Sequence, residues 1–332
     1  MNVSEIAKLA NVSNATVSRY FNDGYVSKEK REAIRKVVEE TGYRPLAQAQ
    51  TLRTKKTKMI GVIVPKIASA AIGRVVEGIL SVLNEKGYQM LLAVTQNDPQ
   101  KELEYLDAFC GRQVDGVILS ATALTAEHKR RFKRVQTPFV IVGQQLKGNC
   151  CVFHDDYHAT YDLTTYILKK GRKNLGYLSA PQKDPAVGER RRNGYLDAVR
   201  DMGCKHLAEH VVTASFDMES GYEKAKELFA SYQDLDAVIC ATDAMAVGAM
   251  RYLKECGVKV PSQVLVAGHD DSDLARVTSP PLLTVHYSYE KSGELAVKML
   301  MEMLEGQEAF VKEMMLGYSI VDAARRLRED FL

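Results

Sequence analysis

The chain has 332 residues, a length that excludes a small single module and suggests two or three domains. Hydrophobic residues make up 46% of it, enough to bury a core, and the 6 cysteines lack the C-x-x-C spacing of a zinc site, which indicates reduced thiols. No apolar run approaches the roughly 18 residues of a membrane helix, and the N-terminus lacks a secretion-signal pattern. We therefore expect a soluble, cytoplasmic protein with no membrane partner.

The net charge of +3 is unevenly distributed along the chain. Residues 1–58 contain 12 Lys and Arg against 6 Asp and Glu, whereas the rest of the chain contains 33 against 36. A basic head on a mildly acidic body is typical of a nucleic-acid-binding module attached to a separate domain. The alternative is that these charges simply form a solvated surface.

Residues 3–22 contain two short helical patterns with almost nothing between them. Ser4 is placed to cap the first helix, Asn11 suits a left-handed turn, and Ser13 is placed to cap a second helix that reaches about Asn22. The expected apolar positions are Ile6, Leu9 and Ala10 in the first helix and Val17 and Phe21 in the second. This is the spacing of a helix-turn-helix.

The outward face of the second helix has base-reading chemistry. Arg19 can pair with guanine, Asn14 with adenine, and Ala15 can touch a thymine methyl group. Ser18 belongs to the same face. We therefore expect this helix to enter the major groove of double-stranded DNA, although any short helical hairpin with a polar face has a similar pattern.

A third helix is expected from Ser27 to Gly42, followed by a segment with few apolar groups and a basic end. The buried stripe of this helix is Ile34, Val37 and Val38. We assign residues 1–44 to a three-helix, helix-turn-helix DNA-binding domain and residues 45–58 to a linker.

From residue 59 onward, apolar strands alternate with helical patterns. This alternation predicts an α/β domain with parallel sheets that are covered on both faces. Strands are expected at residues 60–65, 90–95, 115–121, 139–143, 151–155, 175–180, 210–214, 237–242, 264–270 and 282–288. So many strands exceed what one compact core holds, and two lobes are therefore expected.

Polar residues follow several of these strands, among them Lys66, Thr242, Asp243 and residues 269–271. Open parallel sheets bind ligands beyond the carboxyl ends of their strands, so we expect these side chains to converge on a polyhydroxylated ligand. Each of them alone is explained equally well by the ordinary polarity of loops.

Catalytic motifs are missing from the sequence. It has no phosphate-binding loop, no dinucleotide-binding fingerprint, no nucleophile elbow and no zinc-protease motif. His154 and His158 are four residues apart, but a single pair is a weak metal signal. We expect no metal, no cofactor and no catalytic residues.

The ordered motifs of the whole chain resemble those of the lactose-repressor (LacI/GalR) family of bacterial transcription regulators. They are IAKLANVSNATVSRYFN, VSKEKREAIRKVVEETGYRP, IGVIVP, VDGVIL, GYLSAP, ERRRNGY, FDMESGY, CATDAMAVGAMRYL and GHDDSDLA. The resemblance implies that residues 59–332 form a two-lobed, periplasmic-binding-protein-like domain for effector binding and dimerisation. Its N-lobe comprises about 59–157 and 288–318, and its C-lobe about 158–286 and 320–332.

The resemblance also implies roles in DNA binding. Base contacts fall on Asn14, Ala15 and Arg19, and phosphate contacts on Thr16, Ser18 and Asn22. Leu52 matches the leucine that paired hinge helices of the family insert into the minor groove, where an apolar wedge unstacks and bends DNA. The chain departs from the family at Leu46 and Gln50, where Asn and Arg are usual, so a weaker hinge helix is expected.

The effector contacts implied by the resemblance are Lys66, Arg191, Phe216, Thr242 and Asp270. Arg191 can grip a hydroxyl pair or a phosphate, Asp270 can accept from sugar hydroxyls, and Phe216 can stack on a sugar ring. Lys66, with GERRRNGY and CATDAMAVGA, is closest to the trehalose-repressor branch, whose effector is a phosphorylated disaccharide. Gln144 and His269 differ from that branch.

The resemblance therefore implies a homodimeric repressor of a carbohydrate-use operon that binds a palindromic operator and is controlled by a sugar or sugar phosphate. The alternative is a regulator that responds to a protein partner or to another small metabolite. A secreted binding protein would have a secretion signal and no basic head. A sugar-active enzyme would need two facing carboxylates, which the adjacent Asp270 and Asp271 do not provide by spacing alone.

Overall fold

The computed structural model describes residues 1–22, 24–43, 56–111, 114–306 and 311–322. The chain separates into two compact units, Met1–Lys58, called the head, and Met59–Leu332, called the body. Most of the predicted linker, including Leu46, Gln50 and Leu52, lies outside the described residues, as do residues 323–332 of the predicted C-lobe.

The described part of the head contains helices α1 (Val3–Leu9), α2 (Asn14–Tyr20) and α3 (Lys28–Thr41). Ile6, Val17 and Ile34, one from each helix, are fully buried together at its centre. Asn11 adopts the expected left-handed conformation between α1 and α2, with φ 49°, and Gly42 ends α3 with φ 62°. The prediction of a helix-turn-helix is confirmed.

Three details of the predicted helices differ in the structure. Asn2, not Ser4, is the N-cap of α1, because its side-chain oxygen accepts from the backbone N–H of Glu5 (3.1 Å) while the Glu5 carboxylate accepts from the backbone N–H of Asn2 (2.8 Å). Leu9 is 60% exposed, since the small Ala7 and Ala10 take the buried positions and allow close helix packing. Helix α2 also ends at Tyr20, before the expected Asn22.

The described residues of the body form two parallel sheets and one antiparallel strand pair. The strands are β1 (Met59–Val64), β2 (Gln89–Val94), β3 (Gly116–Ser120), β4 (Phe139–Val142), β5 (Cys151–His154), β6 (Leu175–Ser179), β7 (Val211–Thr213), β8 (Ala237–Cys240), β9 (Leu265–Ala267), β10 (Thr284–Tyr287), β11 (Glu313–Leu316) and β12 (Tyr318–Val321). The first sheet, β11-β5-β4-β3-β1-β2, defines the N-lobe, and the second, β7-β6-β8-β9, defines the C-lobe. The prediction of an α/β body with two lobes of parallel sheet is confirmed.

Each predicted strand is present, with ends that differ by up to 3 residues. The sequence analysis missed β11 and β12, which are short and separated only by Gly317. Strand β12 pairs antiparallel with β10, and an isolated bridge between Leu283 and Ala267 continues this pair into the second sheet. The chain therefore passes between the lobes after β5, after β10 and at Gly317.

Helices cover both faces of each sheet. They are α4 (Ala70–Glu85), α5 (Pro99–Cys110), α6 (Ala126–Phe132), α7 (Asp156–Lys169), a π-helical turn (Pro185–Arg190) that continues into α8 (Arg191–Asp201), a 3-10 turn (Lys205–Glu209), α9 (Met218–Ser231), α10 (Asp243–Glu255), α11 (Asp273–Val277) and α12 (Tyr289–Leu304). In the N-lobe, α4 and α12 touch backbone to backbone. A Cβ on Gly78 would lie 1.9 Å from the Glu290 carbonyl oxygen, and one on Gly293 would lie 2.1 Å from that of Val75.

Candidate functional site

The exposed side of α2 is the candidate DNA-reading face. Asn14, Ala15 and Arg19 are exposed, and Ser13 caps the helix by accepting from the backbone N–H of Thr16 (3.2 Å). The side chain of Arg19 has no hydrogen bond or ion pair with any residue that the structure describes, so its guanidinium is available to a partner outside the chain. The three predicted base-contacting residues thus share one exposed surface.

The predicted phosphate-contacting residues lie beside that face. Thr16 and Ser18 are half-buried and Asn22 is exposed. The hydroxyl of Thr16 is hydrogen-bonded to that of Ser13 (2.8 Å), and the Asn22 amide donates to the Ser18 carbonyl. Contacts of these residues with DNA stay a prediction, as does the wedge role of Leu52, which lies outside the described residues.

A cavity of about 370 Å³ lies between the two lobes of the body. Its volume falls within the roughly 300–1,000 Å³ range of small-molecule sites. Loops at the carboxyl ends of β1, β3, β4, β8 and β9 contribute to its wall, which is where parallel sheets bind ligands. The wall contains all the predicted effector contacts, which are Lys66, Arg191, Phe216, Thr242 and Asp270.

Three of these residues keep part of their side chain accessible. Lys66 follows β1, Phe216 precedes α9, and Thr242 caps α10 by accepting from the backbone N–H of Met245 (3.3 Å). Lys66, Phe216 and Thr242 are each half-buried at the cavity wall. A charged group, an aromatic face and a hydroxyl are therefore offered to a ligand from separate loops.

Arg191 is the buried centre of the wall, with 2% of its surface exposed. Its Nε donates to Asp156 Oδ1 (2.7 Å), its Nη1 to the carbonyl of Ala241 (2.6 Å) and its Nη2 to the hydroxyl of Tyr289 (3.4 Å). The guanidinium carbon also lies 4.8 Å from the centroid of the Tyr287 ring. Each of its nitrogens has a partner within the chain and its charge is paired with Asp156, so Arg191 organises the wall.

Asp270 faces Arg191 across 3.7 Å and accepts from the Tyr289 hydroxyl at 2.7 Å. Burial raises the pKa of Asp270, while the Arg191 charge opposes that rise. Asp270 and Asp271 have φ values of 119° and 48°, in a region that residues other than glycine rarely adopt. Arg74 of α4 donates to their two carbonyls (3.1 and 2.6 Å), so the N-lobe helps to hold this strained loop of the C-lobe.

Asp243 and His269, which also follow strands, are buried and paired inside the C-lobe. The Asp243 carboxylate accepts from the backbone N–H and hydroxyl of Ser272 (2.8 and 2.9 Å) and from the Thr284 hydroxyl (2.6 Å). Burial raises the pKa of Asp243 to about 7. The His269 ring is hydrogen-bonded to a carbonyl of β8 and to the Thr160 hydroxyl (3.0 Å). Both residues are therefore bonded within the C-lobe next to the strained loop, and neither belongs to the cavity wall.

Several polar residues of the wall were not predicted as ligand contacts, among them Gln144, Asp156, Asp184 and Tyr289. Asp156 and Tyr289 each begin a helix directly after a strand, which is a position at the carboxyl end of a sheet and was available as a signal. Asp184 precedes Pro185 at a helix start, a recognisable N-cap pattern. Gln144 stood out in the sequence only as a difference from one branch of the family.

His154 and His158, whose spacing is a weak metal signal, do not form one group. His154 is buried, and burial lowers its pKa, whereas His158 is exposed and bonded to Asp155 (2.8 Å). Within the described ranges, no cluster of three or more His, Cys, Asp or Glu side chains is arranged to hold a metal ion. No helix in the same ranges combines the length and the apolar character needed to cross a membrane.

Comparison with protein families matches residues 2–45 to "Bacterial regulatory proteins, lacI family" and residues 164–322 to "Periplasmic binding protein-like domain". The chain is 29% identical over 306 residues to the sucrose operon repressor of Staphylococcus xylosus, covering 92% of this chain and 94% of that protein. It is 29% identical over 323 residues to the transcriptional regulator RegA of Clostridium saccharobutylicum, covering 96% and 97%.

Solved structures with the same architecture include a complex of the transcriptional regulator CelR with cellobiose, at 26% identity and a TM-score of 0.75. The lac repressor dimer bound to operator and the anti-inducer ONPF has a TM-score of 0.88 at 21% identity, a likeness that concerns the fold alone. Each match covers 97% of this chain and 98% of the other. The head therefore matches the lacI family of bacterial regulatory proteins, the body matches a periplasmic-binding-protein-like domain, and the relatives that are similar along nearly the whole chain are transcriptional regulators.

Proposed function

We propose that the protein is a cytoplasmic repressor, not an enzyme, that binds a palindromic operator as a homodimer and changes its DNA affinity when a sugar occupies the cavity of the body. The observation that carries the proposal is the convergence of Lys66, Arg191, Phe216, Thr242 and Asp270, from separate loops, on one cavity. The names of two relatives, a sucrose operon repressor and a CelR–cellobiose complex, agree with a sugar as the ligand.

The proposed division of labour follows the sequence boundaries. Residues 1–44 bind DNA, residues 45–58 link the units, and residues 59–332 bind the effector and dimerise. On the DNA, Asn14, Ala15 and Arg19 read bases while neighbouring polar residues contact phosphates. Leu52 of the linker is proposed to enter the minor groove as an apolar wedge.

The cavity has the chemistry that a sugar requires. Phe216 supplies a face for a sugar ring, and Thr242 and Asp270 supply oxygen atoms for its hydroxyls. The wall is shared by both lobes, and the strained loop at Asp270 is held by Arg74 of the N-lobe. A ligand that contacts both lobes therefore favours one lobe arrangement over another, and this difference is the free energy available to change operator affinity.

The first experiment tests ligand and DNA together. Purified protein is screened by thermal shift against sucrose, cellobiose, trehalose and their 6-phosphates, and its operator is selected from random duplexes. We expect a palindromic site, at least one sugar that raises the melting temperature, and a change in operator affinity with that sugar. The variant Asp270→Asn should lose the sugar response and still bind the operator.

The second candidate function is a regulator that responds to another metabolite or to a protein partner. It would be favoured by a protein that binds a palindromic site but shows no thermal shift with any member of the sugar panel. Release of a labelled sugar fragment during incubation would instead indicate an enzyme.

A further inference from the structure

Asp184 forms a bridge between the lobes at the cavity wall. It is 7% exposed and caps the π-helical turn of the C-lobe. Its Oδ1 accepts from the backbone N–H groups of Ala186 (3.1 Å) and Val187 (3.0 Å) and from the side-chain amide of Gln144 (2.8 Å), which follows β4 in the N-lobe. One oxygen of this carboxylate therefore satisfies the helix cap and the bridge together.

The second oxygen of Asp184 is left for a ligand. Oδ2 accepts no hydrogen bond from any part of the chain that the structure describes. It is also not one of the fully buried polar atoms that lack a partner, so it keeps some accessible surface at the cavity wall. An ionised carboxylate has about four lone-pair sites and can only accept hydrogen bonds. A hydroxyl of a bound ligand is the partner that this oxygen fits.

The charges of the wall decide between two ligand classes. Four carboxylates line the cavity, those of Asp156, Asp184, Asp217 and Asp270, against the two cations Lys66 and Arg191. The nitrogens of Arg191 are already bonded to Asp156, to a backbone carbonyl and to a tyrosine. A phosphate dianion would thus meet an excess of negative charge with Lys66 as its main opposite charge.

We propose that the cavity takes an uncharged, unphosphorylated sugar and that Asp184 both accepts a hydrogen bond from one of its hydroxyls and repels a phosphorylated form. This inference rests on the proposed function. The sequence left open whether the ligand is a sugar or a sugar phosphate, and the inference favours the sugar. It also assigns the discrimination between the two to Asp184, which is not one of the effector contacts that the family resemblance implies.

The desolvated state of the carboxylate supports this role. Burial raises the pKa of Asp184 to about 6, and the nearby charge of Asp156 adds to the rise while Arg191 and the bond from Gln144 oppose it. A carboxylate kept in so dry a place gains more from a hydroxyl donor than one in water does, because a hydrogen bond to a charged group is strongest where water is excluded.

The test measures affinities by titration calorimetry on the full-length protein for sucrose, cellobiose and trehalose, each with its 6-phosphate. We expect the uncharged form of whichever sugar binds to do so at least about tenfold more tightly than its phosphate, as one hydrogen bond to a charged group and one repulsion would give. Asp184→Asn keeps Oδ1 as an acceptor for the cap and the bridge but replaces Oδ2 by a donor. It should weaken the uncharged sugar about tenfold and bring the two affinities closer together.

The matched control is Asp98→Asn. Asp98 also caps a helix immediately before a proline, accepting from the backbone N–H of Gln100 (2.9 Å), but it lies outside the cavity wall. This variant should leave both affinities unchanged.

Three results would overturn the inference. Tighter binding of the phosphorylated form by the unaltered protein would contradict it and leave the proposed sugar response standing. Equal affinities of Asp184→Asn and the unaltered protein for the uncharged sugar would show that Asp184 does not discriminate between the sugar and its phosphate. Absence of binding by every sugar and phosphate in the panel would overturn the proposed function as well, so the two failures are distinguishable.

Discussion

Two arginines show how differently the head and the body are built. Arg19 is exposed and its guanidinium has no partner among the described residues, while Arg191 is 2% exposed and its guanidinium is bonded through each of its nitrogens. A residue that reads DNA needs N–H donors that are free to bind bases, whereas a residue that shapes a cavity uses its donors in hydrogen bonds within the chain. We therefore expect a substitution of Arg19 to affect DNA binding without affecting stability, and a substitution of Arg191 to affect both ligand binding and stability.

Removal of the buried arginine should have the largest effect on stability. Arg191→Ala leaves Asp156 and Asp270 without their cation in a buried site, so the free energy of unfolding of the body should fall by about 3–5 kcal/mol. Urea denaturation followed by circular dichroism measures the loss. Arg200→Ala on the same helix is the control, since its ion pairs with Asp197 and Asp201 are exposed and should contribute little to stability. Equal effects of the two variants would contradict the central role of Arg191.

Asp184→Asn should stabilise the body above neutral pH. The pKa of Asp184 is raised by burial to about 6, so the folded state holds the proton more tightly than the unfolded state does. Ionisation therefore lowers the free energy of unfolding as pH rises from about 4 to about 6, and the loss persists at higher pH. The variant removes this loss, with a gain of about 1–3 kcal/mol at pH 8 and little at pH 4.

The measurement for Asp184→Asn is urea denaturation at both pH values, with Asp98→Asn as the control. A gain of the same size at both pH values would show that the buried charge is not its cause. A stabilised variant with a weakened sugar response would mean that the carboxylate is kept for binding at a cost in stability.

Arg19→Ala should weaken operator binding by about 1–3 kcal/mol and relax the preference at one base position, with no measurable change in the stability of the head. Fluorescence anisotropy with the selected operator and its single-base variants measures both effects. Arg35→Ala removes the same charge from α3, where Arg35 is paired with Glu32 and Glu39, and serves as the control. A loss of affinity that is the same for all operator variants would indicate that Arg19 contacts phosphates and not a base.

The smallest expected effect is on the coupling between ligand and DNA. Arg74→Leu removes the two donors that join α4 to the strained loop at Asp270 and Asp271. The change in operator affinity caused by a binding sugar should shrink by about 1 kcal/mol, roughly fivefold, while the affinity for DNA without sugar changes less. Arg251→Ala on α10 is the control, because Arg251 is exposed and forms only surface ion pairs with Glu219 and Glu255. If the sugar changes the operator affinity of Arg74→Leu as much as that of the unaltered protein, Arg74 does not couple ligand binding to DNA binding.

The head could be predicted from the sequence because its signals are local. The turn residue Asn11 and the cap Ser13 act over a few residues, and apolar positions at helical spacing define the core. The errors are of the same local kind. Ser4 and Asn2 are both good N-caps, and only the reciprocal bond with Glu5 decides for Asn2. Leu9 looked buried because spacing alone does not say how closely two helices approach.

The cavity could be predicted only in part, because its bonds join distant segments. Strand ends pointed to Thr242 and Asp270, and the family resemblance added Arg191. The partner of Asp184 is Gln144, 40 residues away, and nothing in the local pattern of either residue joins them. Strands β11 and β12 were missed for a similar reason, since β12 is defined by its antiparallel partner β10.

The glycine contacts between α4 and α12 have a mechanical consequence. No side chain lies between their backbones at Gly78 and Gly293, so a larger residue at either position would force the two helices apart. Both reach the same residue of the opposite lobe, since Arg74 of α4 bonds the carbonyl of Asp270 and Tyr289 of α12 bonds its carboxylate. The close packing therefore bears on the cavity, because helices that were forced apart would displace two side chains that bond Asp270.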